Sequence, residues 1–255
     1  MENLSAIIIN GEERKSGDVP VSQEVPLTIE VNDKELATLL SSPEHIENLV
    51  TGFLYTSGII QNLSQLKSII LDDQRWKVNV TIEGEGFADD MVFKRIYTSG
   101  CGKGVIFHNP LDLINRVKII SDFKVSSQVV REFMKIFQKQ SQEHQLTHGI
   151  HSAALASCEE ILISRDDIGR HNAIDKVVGF ALSNNIGFAD KFLLTSGRIS
   201  SEILSKALRC RMPVIAAIGA PTNQAVKLAR QVELTIAGLV RGPKMIVFSG
   251  EDRII

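Results

Sequence analysis

The chain has few cysteines, few aromatic residues and almost no net charge. Three of its 255 residues are cysteines, at positions 101, 158 and 210, and 5% are aromatic. Cysteines this few and this widely spaced form neither a disulfide framework nor a paired metal motif, which is typical of a reducing compartment. The formal charge of −2 argues against a surface that coats nucleic acid.

Long apolar runs are also missing. The N-terminal stretch MENLSAIIING has no cationic n-region, and its apolar core is too short for a signal peptide. No segment approaches the roughly 20 apolar residues that a membrane-spanning helix requires. The hydrophobic share of 44% is that of an ordinary globular protein. We therefore predict a cytoplasmic protein that does not insert into a membrane.

The first hundred residues are predicted to be mainly β-structure with one helix. VPLTIEVNDKELATLL from Val25 has apolar runs on either side of an Asn-Asp turn, which indicates a hairpin. Ser42 and Pro43 are predicted to cap and begin a helix, and Gly58 to end it. RWKVNVTIEG from Arg75 alternates again and predicts a further strand.

The second half alternates between strands and helices. EILIS, FLLTS, PVIAAIG and LTIAGLV predict buried strands, KMIVFSG predicts a closing one, and helical patterns lie between them at 173–182, 202–209 and 223–231. This alternation favours an α/β sheet with helices on its faces. We predict a β-rich, α+β N-terminal domain over 1–108 and an α/β domain over 109–255, with a helical connector at about 110–143.

One cysteine stands in a glycine-rich segment, RIYTSGCGKGVIF. Cys101 there has no large apolar neighbours, so we predict an accessible thiolate on a pliable loop, stabilised by Lys103. The alternative is a plain glycine-rich turn with an incidental cysteine. A phosphate loop would need serine or threonine after the lysine, where this chain has Gly104. Cys158 and Cys210 lie in apolar stretches and are predicted to be buried.

Polar residues crowd the segment SRDDIGRHNAIDKVVG, at a predicted strand-to-helix junction. The free N–H groups of a helix N-terminus bind anions, and Arg170 would add a bidentate contact to phosphate or carboxylate. The alternative is a capping and salt-bridge network in which His171 is satisfied internally.

Two further junctions, at 195–201 and 219–223, are predicted to meet the first, because ligands collect outside the carboxyl ends of strands in an open α/β sheet. Ordinary capping by Ser200, Ser201 and Thr222 is the alternative. His148 and His151 lie near Cys158, but the H-x-E and P-C-x-x-C halves of a zinc deaminase signature are missing. We therefore expect no protein-ligated zinc.

Four segments together resemble the formate dehydrogenase accessory sulfurtransferase family, FdhD, from about Val25 to Arg253. They are the N-terminal block VPLTIEVNDKELATLLSSPEHIENLVTGFLYTSGII, the cysteine loop TSGCGKG, the central block HGIHSAALA and the motif DDIGRHNAIDKVVG. The resemblance implies a cytidine deaminase-like C-terminal domain without its zinc chemistry. It also implies a homodimer.

Members of the family carry sulfane sulfur from a cysteine desulfurase to the molybdenum (or tungsten) bis-molybdopterin guanine dinucleotide cofactor of formate dehydrogenase. The resemblance places the persulfide on Cys101, with a guanine nucleotide such as GDP as a partial mimic of the cofactor. It implies cofactor contacts in LVRGPK, which is Leu239, Val240, Arg241, Gly242, Pro243 and Lys244. The junction residues expected to join them are Asp167, Gly169, Arg170, His171, Asn172, Ser196 and Arg198.

The chain departs from the family in its cysteine loop. Members typically carry C-x-x-C there, whereas this chain has Cys101-Gly102-Lys103-Gly104. An internal disulfide therefore cannot resolve a persulfide on Cys101. The competing hypothesis is a non-catalytic cofactor-binding chaperone for formate dehydrogenase. A nucleotide-modifying enzyme of the deaminase-like fold ranks last, because its metal ligands are missing.

Overall fold

In the computed structural model of the protein, residues 1–84 and 118–255 are described, and these form three β-sheets and six α-helices. The predicted domain boundary at 108/109, Cys101 and Lys103 lie outside the described residues. The strands are β1 (Glu2–Asn10), β2 (Glu13–Val21), β3 (Val25–Val31), β4 (Lys34–Ser41), β5 (Leu66–Asp72), β6 (Lys77–Ile82), β7 (His151–Ala156), β8 (Ile161–Asp167), β9 (Phe192–Thr195), β10 (Val214–Ala217), β11 (Thr235–Arg241) and β12 (Lys244–Ser249). The helices are α1 (Ile46–Thr56), α2 (Ser127–Gln140), α3 (Gln142–Thr147), α4 (Arg170–Ser183), α5 (Ser201–Arg209) and α6 (Asn223–Val232).

The N-terminal half contains a four-stranded sheet in the order β4-β3-β6-β5. Asn32 and Asp33 connect β3 to antiparallel β4 with φ of 47° and 64°, the positive values that a two-residue hairpin turn requires. The predicted hairpin is confirmed, as is the strand predicted from Arg75. Alternate residues of β3, among them Leu27 and Ile29, are buried against α1.

Helix α1 starts later than the sequence predicts. It begins at Ile46, after His45 in the left-handed region, and no side chain caps it. The predicted cap at Ser42 is therefore wrong: its hydroxyl accepts the N–H of Ile168 at 3.1 Å, a partner 126 residues away. The predicted end is confirmed, because Gly58 follows the last turn with φ of 79°.

The C-terminal half is built on a six-stranded sheet in the order β12-β11-β10-β9-β7-β8. β9, β10 and β11 are parallel, while β7 is antiparallel to both β8 and β9, so β8 points the same way as β9. One face packs against α4, α5 and α6, and the other against α2. The mixed α/β class, the strands predicted from EILIS, FLLTS, PVIAAIG, LTIAGLV and KMIVFSG and the three helices are confirmed. β8 is not buried as predicted, because it is a half-exposed edge strand.

The two halves are joined by a close helix crossing. α1 and α4 meet at Gly52 and Gly179, where a Cβ would overlap the backbone carbonyls of Asp175 and Asn48 respectively. Only glycine permits two helix backbones to approach this closely. None of the described helices combines the length and the apolar character that crossing a bilayer requires.

Candidate functional site

The three predicted junctions lie together at one edge of the six-stranded sheet. β8, β9, β10 and β11 all end at this edge, because they run in the same direction. A Cβ on Gly197, after β9, would stand 3.1 Å from the Arg170 side chain after β8. Ile199 forms a bridge with Pro221 after β10, and the Leu239 N–H donates to Gly219 at 3.2 Å. These contacts define the candidate site, which we call the carboxyl edge.

Two side chains at the carboxyl edge are fixed by the neighbouring strand. The Ser196 hydroxyl accepts the backbone N–H of Ser152 at 3.0 Å and lies 3.3 Å from Nδ1 of His151. Ser196 and His151 are partly buried. Ser196, a predicted cofactor-binding residue, is thus held in place by β7, and His151, which the sequence suggests only as part of a zinc site, lies beside it.

Two arginines lie near His151 at the carboxyl edge. Burial lowers the pKa of His151, and the nearby cations Arg170 and Arg198 lower it further. Arg170 is 8% exposed, whereas Arg198 is exposed to solvent. A partly desolvated site in which two guanidinium groups act on one imidazole favours an anionic ligand.

His171 faces an acidic partner from the next junction. Its Nε2 lies 2.8 Å from Oε2 of Glu202, in the first turn of α5. Burial lowers the pKa of His171, and the nearby Glu202 carboxylate opposes that effect. Sequence patterns gave no sign of this pair, because its members are 31 residues apart.

The segment 239–244 forms the β11–β12 hairpin at the same edge. Leu239 and Gly242 both have φ of 54°, and Arg241 stands opposite Lys244 in the strand register. Residues 241–244 are exposed, but Val240 is 1% exposed and packs in the core beneath α2. Arg241 and Lys244 can therefore reach an anion, while Val240 can offer only its backbone.

Asp167 and Asn172, both predicted to bind the cofactor, form hydrogen bonds within the protein instead. Oδ1 of Asp167 accepts the N–H of Gly169 at 2.8 Å and the side-chain amide of Asn172 at 2.9 Å. The Asn172 amide also donates to the Leu40 carbonyl at 2.8 Å. For these two side chains the structure has the capping and salt-bridge network that was the alternative interpretation.

Lys176, which belongs to the same polar segment of the sequence, completes this network. Its Nζ lies 2.6 Å from Oδ2 of Asp167, and neither side chain is accessible to solvent. The same ammonium donates to the carbonyls of Ser42 and Asp166 at 3.2 Å. The Ser42 N–H in turn donates to Asp167 at 3.1 Å, so the pair ties β4 to α4. We call these residues (Ser42, Asp167, Asn172 and Lys176) the joint.

The two described cysteines differ from each other. Cys210 is buried as predicted, and burial raises the pKa of its thiol. Cys158 is exposed, so its predicted burial is wrong: it lies in the turn between β7 and β8 rather than inside a strand. Desolvation and nearby Glu159 raise its thiol pKa as well, and its Sγ lies 3.4 Å from the Lys124 carbonyl.

Within the two described ranges, no group of three or more histidine, cysteine or acidic side chains could hold a metal ion. His144 and His148 contact each other edge to face, with ring centroids 5.5 Å apart. Nδ1 of His144 is bonded to the Ile150 carbonyl at 3.0 Å. His144 is therefore bonded within its own segment.

Comparison with known proteins establishes the family. A sequence profile of the FdhD/NarQ family matches residues 22–255, so the chain belongs to the FdhD/NarQ family. Similar relatives, each named sulfur carrier protein FdhD, come from Bacillus pumilus, at 37% identity over 92% of this chain and 90% of theirs, and from Bacillus subtilis, at 38% over 96% and 93%. A third, from Listeria innocua, is 39% identical over 92% of this chain and 91% of its own.

A solved structure supports the fold. The chain is similar to a crystal structure of a protein from Desulfotalea psychrophila that is described as a formate dehydrogenase accessory protein. The TM-score is 0.84, and the match covers 100% of this chain and 99% of the other. At 22% identity, this similarity speaks for the fold alone.

Proposed function

We propose that the protein is a sulfur carrier for formate dehydrogenase maturation in the cytoplasm. Cys101 would accept sulfane sulfur from a cysteine desulfurase and deliver it to the molybdenum (or tungsten) bis-molybdopterin guanine dinucleotide cofactor. The observation that carries the proposal is family membership: three relatives named sulfur carrier proteins match at least 92% of this chain. Homodimer formation and interaction with the formate dehydrogenase catalytic subunit belong to the same proposal.

The other two cysteines support the assignment to Cys101. Sulfur transfer needs a thiolate, and the pKa of a reactive thiol is usually lowered by a neighbouring cation. Burial raises the pKa of Cys210, and desolvation and acidic neighbours raise that of Cys158. Cys101 stands among glycines, with a lysine, Lys103, two residues away. We assign Lys103 to stabilising the thiolate.

The first chemical step is an exchange without net oxidation. The Cys101 thiolate attacks the outer sulfur of the desulfurase persulfide, the S–S bond breaks, and the desulfurase thiolate leaves. A persulfide on Cys101 results, and covalent carriage divides one delivery into two transfers. In the second step the acceptor takes the outer sulfur and the Cys101 thiolate is regenerated. Because position 104 is glycine, the two electrons that turn this sulfur into sulfide come from the acceptor or an external thiol.

The carboxyl edge is the proposed site for a guanine nucleotide end of the cofactor. The Gly169 N–H is held by Asp167, but Gly169 itself offers no side-chain cap, so the N–H groups of the first turn of α4 that follow it are the proposed donors to a phosphate. Arg170 and Arg198 supply positive charge at the carboxyl edge. From the β11–β12 hairpin, Arg241 and Lys244 add exposed cations. We propose that this half has the cytidine deaminase-like fold, used here for binding rather than zinc chemistry.

The test measures sulfur loading of Cys101 and nucleotide binding separately. After incubation with a cysteine desulfurase and cysteine, mass spectrometry should find 32 Da added, the mass of sulfur (about one atom per chain), on the Cys101 peptide and reversed by a reducing thiol. Cys101→Ala should abolish this label, while the matched Cys158→Ala variant should keep it. Both variants should bind GDP with wild-type affinity in calorimetry, whereas Arg198→Ala should weaken GDP binding roughly tenfold, the loss of one charged contact.

A second candidate function rests on Gly104. The missing second cysteine favours a chaperone that binds the cofactor and formate dehydrogenase without transferring sulfur. An unlabelled Cys101, under conditions in which the desulfurase loads a C-x-x-C relative, would establish that alternative. Equal loss of labelling and GDP binding in Cys101→Ala would contradict the separation of the two sites.

A further inference from the structure

The N-terminal hairpin has little support from the rest of the described chain. β1 and β2 pair over nine residues each, and among the described residues no third strand extends them. One link to the body is the hydrogen bond between the hydroxyls of Ser22 and Thr147 at 2.8 Å. A two-stranded hairpin is marginally stable alone in water, and three or more strands are needed for independent stability. The hairpin therefore lacks a partner strand.

The turn determines which backbone groups face outward. Gly11, with φ of 63°, begins a two-residue turn, so the flanking Asn10 and Glu13 exchange hydrogen bonds. Backbone groups then alternate, and the N–H and C=O groups of residues 3, 5, 7 and 9 in β1 point away from β2. In β2 the outward positions are 14, 16, 18 and 20. Pro20 occupies one of them, where its missing N–H removes no bond from the hairpin.

The two edges of the hairpin have opposite character. Along β2 the outward positions include Arg14, Asp18 and Pro20, and charge and proline are the features that keep a strand edge from pairing. Along β1 the outward positions carry neither charge nor proline: they are Asn3, Ser5, Ile7 and Ile9.

The β1 edge is also apolar and accessible. Ile7 is 63% exposed and Ile9 is 56% exposed, on the same side of the strand. Exposed β-branched residues beside an open row of backbone groups are what a pairing strand needs. An open edge of this kind is expected to pair with another strand.

We propose that β1 pairs with β1 of a second copy, antiparallel about a two-fold axis at Ala6. The result is a four-stranded sheet in the order β2-β1-β1-β2, closed by isologous contact. This register places Ser5 of one copy opposite Ile7 of the other, and every outward residue faces an outward residue. Glu2, the one ionisable side chain of β1, falls opposite Asn10, so no like charges meet.

A second copy fits this edge because, in the antiparallel register about Ala6, each outward backbone group of one β1 meets an outward group of the other. Pairing stops at two copies, since each outer edge is then the β2 edge with Arg14, Asp18 and Pro20. The inference deepens the proposed homodimer by giving it a surface. Its test measures assembly, so its failure is distinguishable from a failure of sulfur transfer.

A matched pair of proline variants tests the two edges. Ile7 and Ser16 stand opposite each other in the hairpin, and both N–H groups point outward. Proline at either position therefore leaves the hairpin's own hydrogen bonds in place. In sedimentation velocity, the wild type and Ser16→Pro should be dimers, and Ile7→Pro should raise the dissociation constant at least about tenfold. Far-UV circular dichroism spectra at low temperature should be the same for both variants, which shows that each is folded.

A cross-link tests the register. At the two-fold axis the Ala6 residues form a non-hydrogen-bonded pair with Cα atoms roughly 4.5 Å apart, within disulfide range. With Cys101 and Cys158 replaced by serine, Ala6→Cys should give a disulfide-linked dimer under mild oxidation, whereas Ser16→Cys should stay monomeric on a non-reducing gel. A monomeric wild type, an unaffected Ile7→Pro dimer, open-ended oligomers or equal cross-linking at position 16 would overturn the proposal.

Discussion

Replacing Lys176 by methionine should destabilise the protein by about 3–5 kcal/mol, the usual effect of removing one partner of a buried ion pair. The ammonium lies 2.6 Å from Asp167, and both side chains are inaccessible. Methionine fills a similar volume but leaves the carboxylate buried without a cation. It also removes donors to the carbonyls of Ser42 and Asp166. Since whole domains are stable by about 5–15 kcal/mol, the loss would be a large fraction of the total.

The destabilisation should depend on pH in one direction. Burial raises the pKa of Asp167 above its usual value, and Lys176 opposes that effect. Without the ammonium this pKa rises further, so the folded state holds the proton more tightly than the unfolded state. A raised carboxyl pKa means that stability is lost as pH rises and is recovered as pH falls. The deficit of Lys176→Met should therefore be largest near neutral pH and shrink in acid.

Urea unfolding at about pH 7 and about pH 5, followed by far-UV circular dichroism, measures both effects. Lys67→Met is the matched control: its partner Glu83 lies 3.0 Å away, both side chains are more than half exposed, and its loss should cost less than about 1 kcal/mol. The double variant Asp167→Asn/Lys176→Met should be less destabilised than the sum of the single changes, by about 0.5–3 kcal/mol. A Lys176→Met variant as stable as Lys67→Met, or a deficit that does not vary with pH, would refute the reasoning.

Two further predictions concern the helix crossing and the carboxyl edge. Gly179→Ala should lower the melting temperature, because the new Cβ would overlap the Asn48 carbonyl and force the two helix backbones apart. We expect this separation to destabilise the fold by about 1–3 kcal/mol. Gly187→Ala is the control and should leave the melting temperature unchanged, because no atom lies within 4 Å of the new Cβ. Glu202→Gln should lower the pKa of His171 further in an NMR titration, because the carboxylate is the group that raises it. An unchanged or raised pKa there would contradict the assigned pair.

Local patterns predicted most of the described fold. The Val25–Ser41 hairpin was predictable because its turn residues and its apolar alternation are adjacent in sequence. β7 was not predicted, although it occupies an interior position of the sheet. Its sequence HSAALA has no β-branched residue, so its strand conformation comes from burial between β8 and β9 rather than from propensity.

Contacts between residues distant in sequence explain two features that local patterns do not predict. Ser42 has the chemistry of a helix cap, but a tertiary partner at Ile168 uses its hydroxyl instead. Lys176 and Asp167 are nine positions apart across a strand-to-helix junction, and no helical or strand spacing brings them together. The junctions themselves were predictable, because the direction of parallel strands places their ends at one edge. Which side chain of a junction faces that edge depends on packing.

The motif DDIGRHNAIDK therefore does two things at once. Asp167, Asn172 and Lys176 point toward β4 and form the joint, whereas Arg170 and His171 lie at the carboxyl edge. Both sets lie at the junction of β8 and α4, so the joint fixes the orientation of the α4 N-terminus at the proposed nucleotide site. A change in the joint should thus weaken nucleotide binding without removing a ligand contact. The density of polar residues in this motif therefore reflects the junction of two halves as well as the proposed binding of an anion.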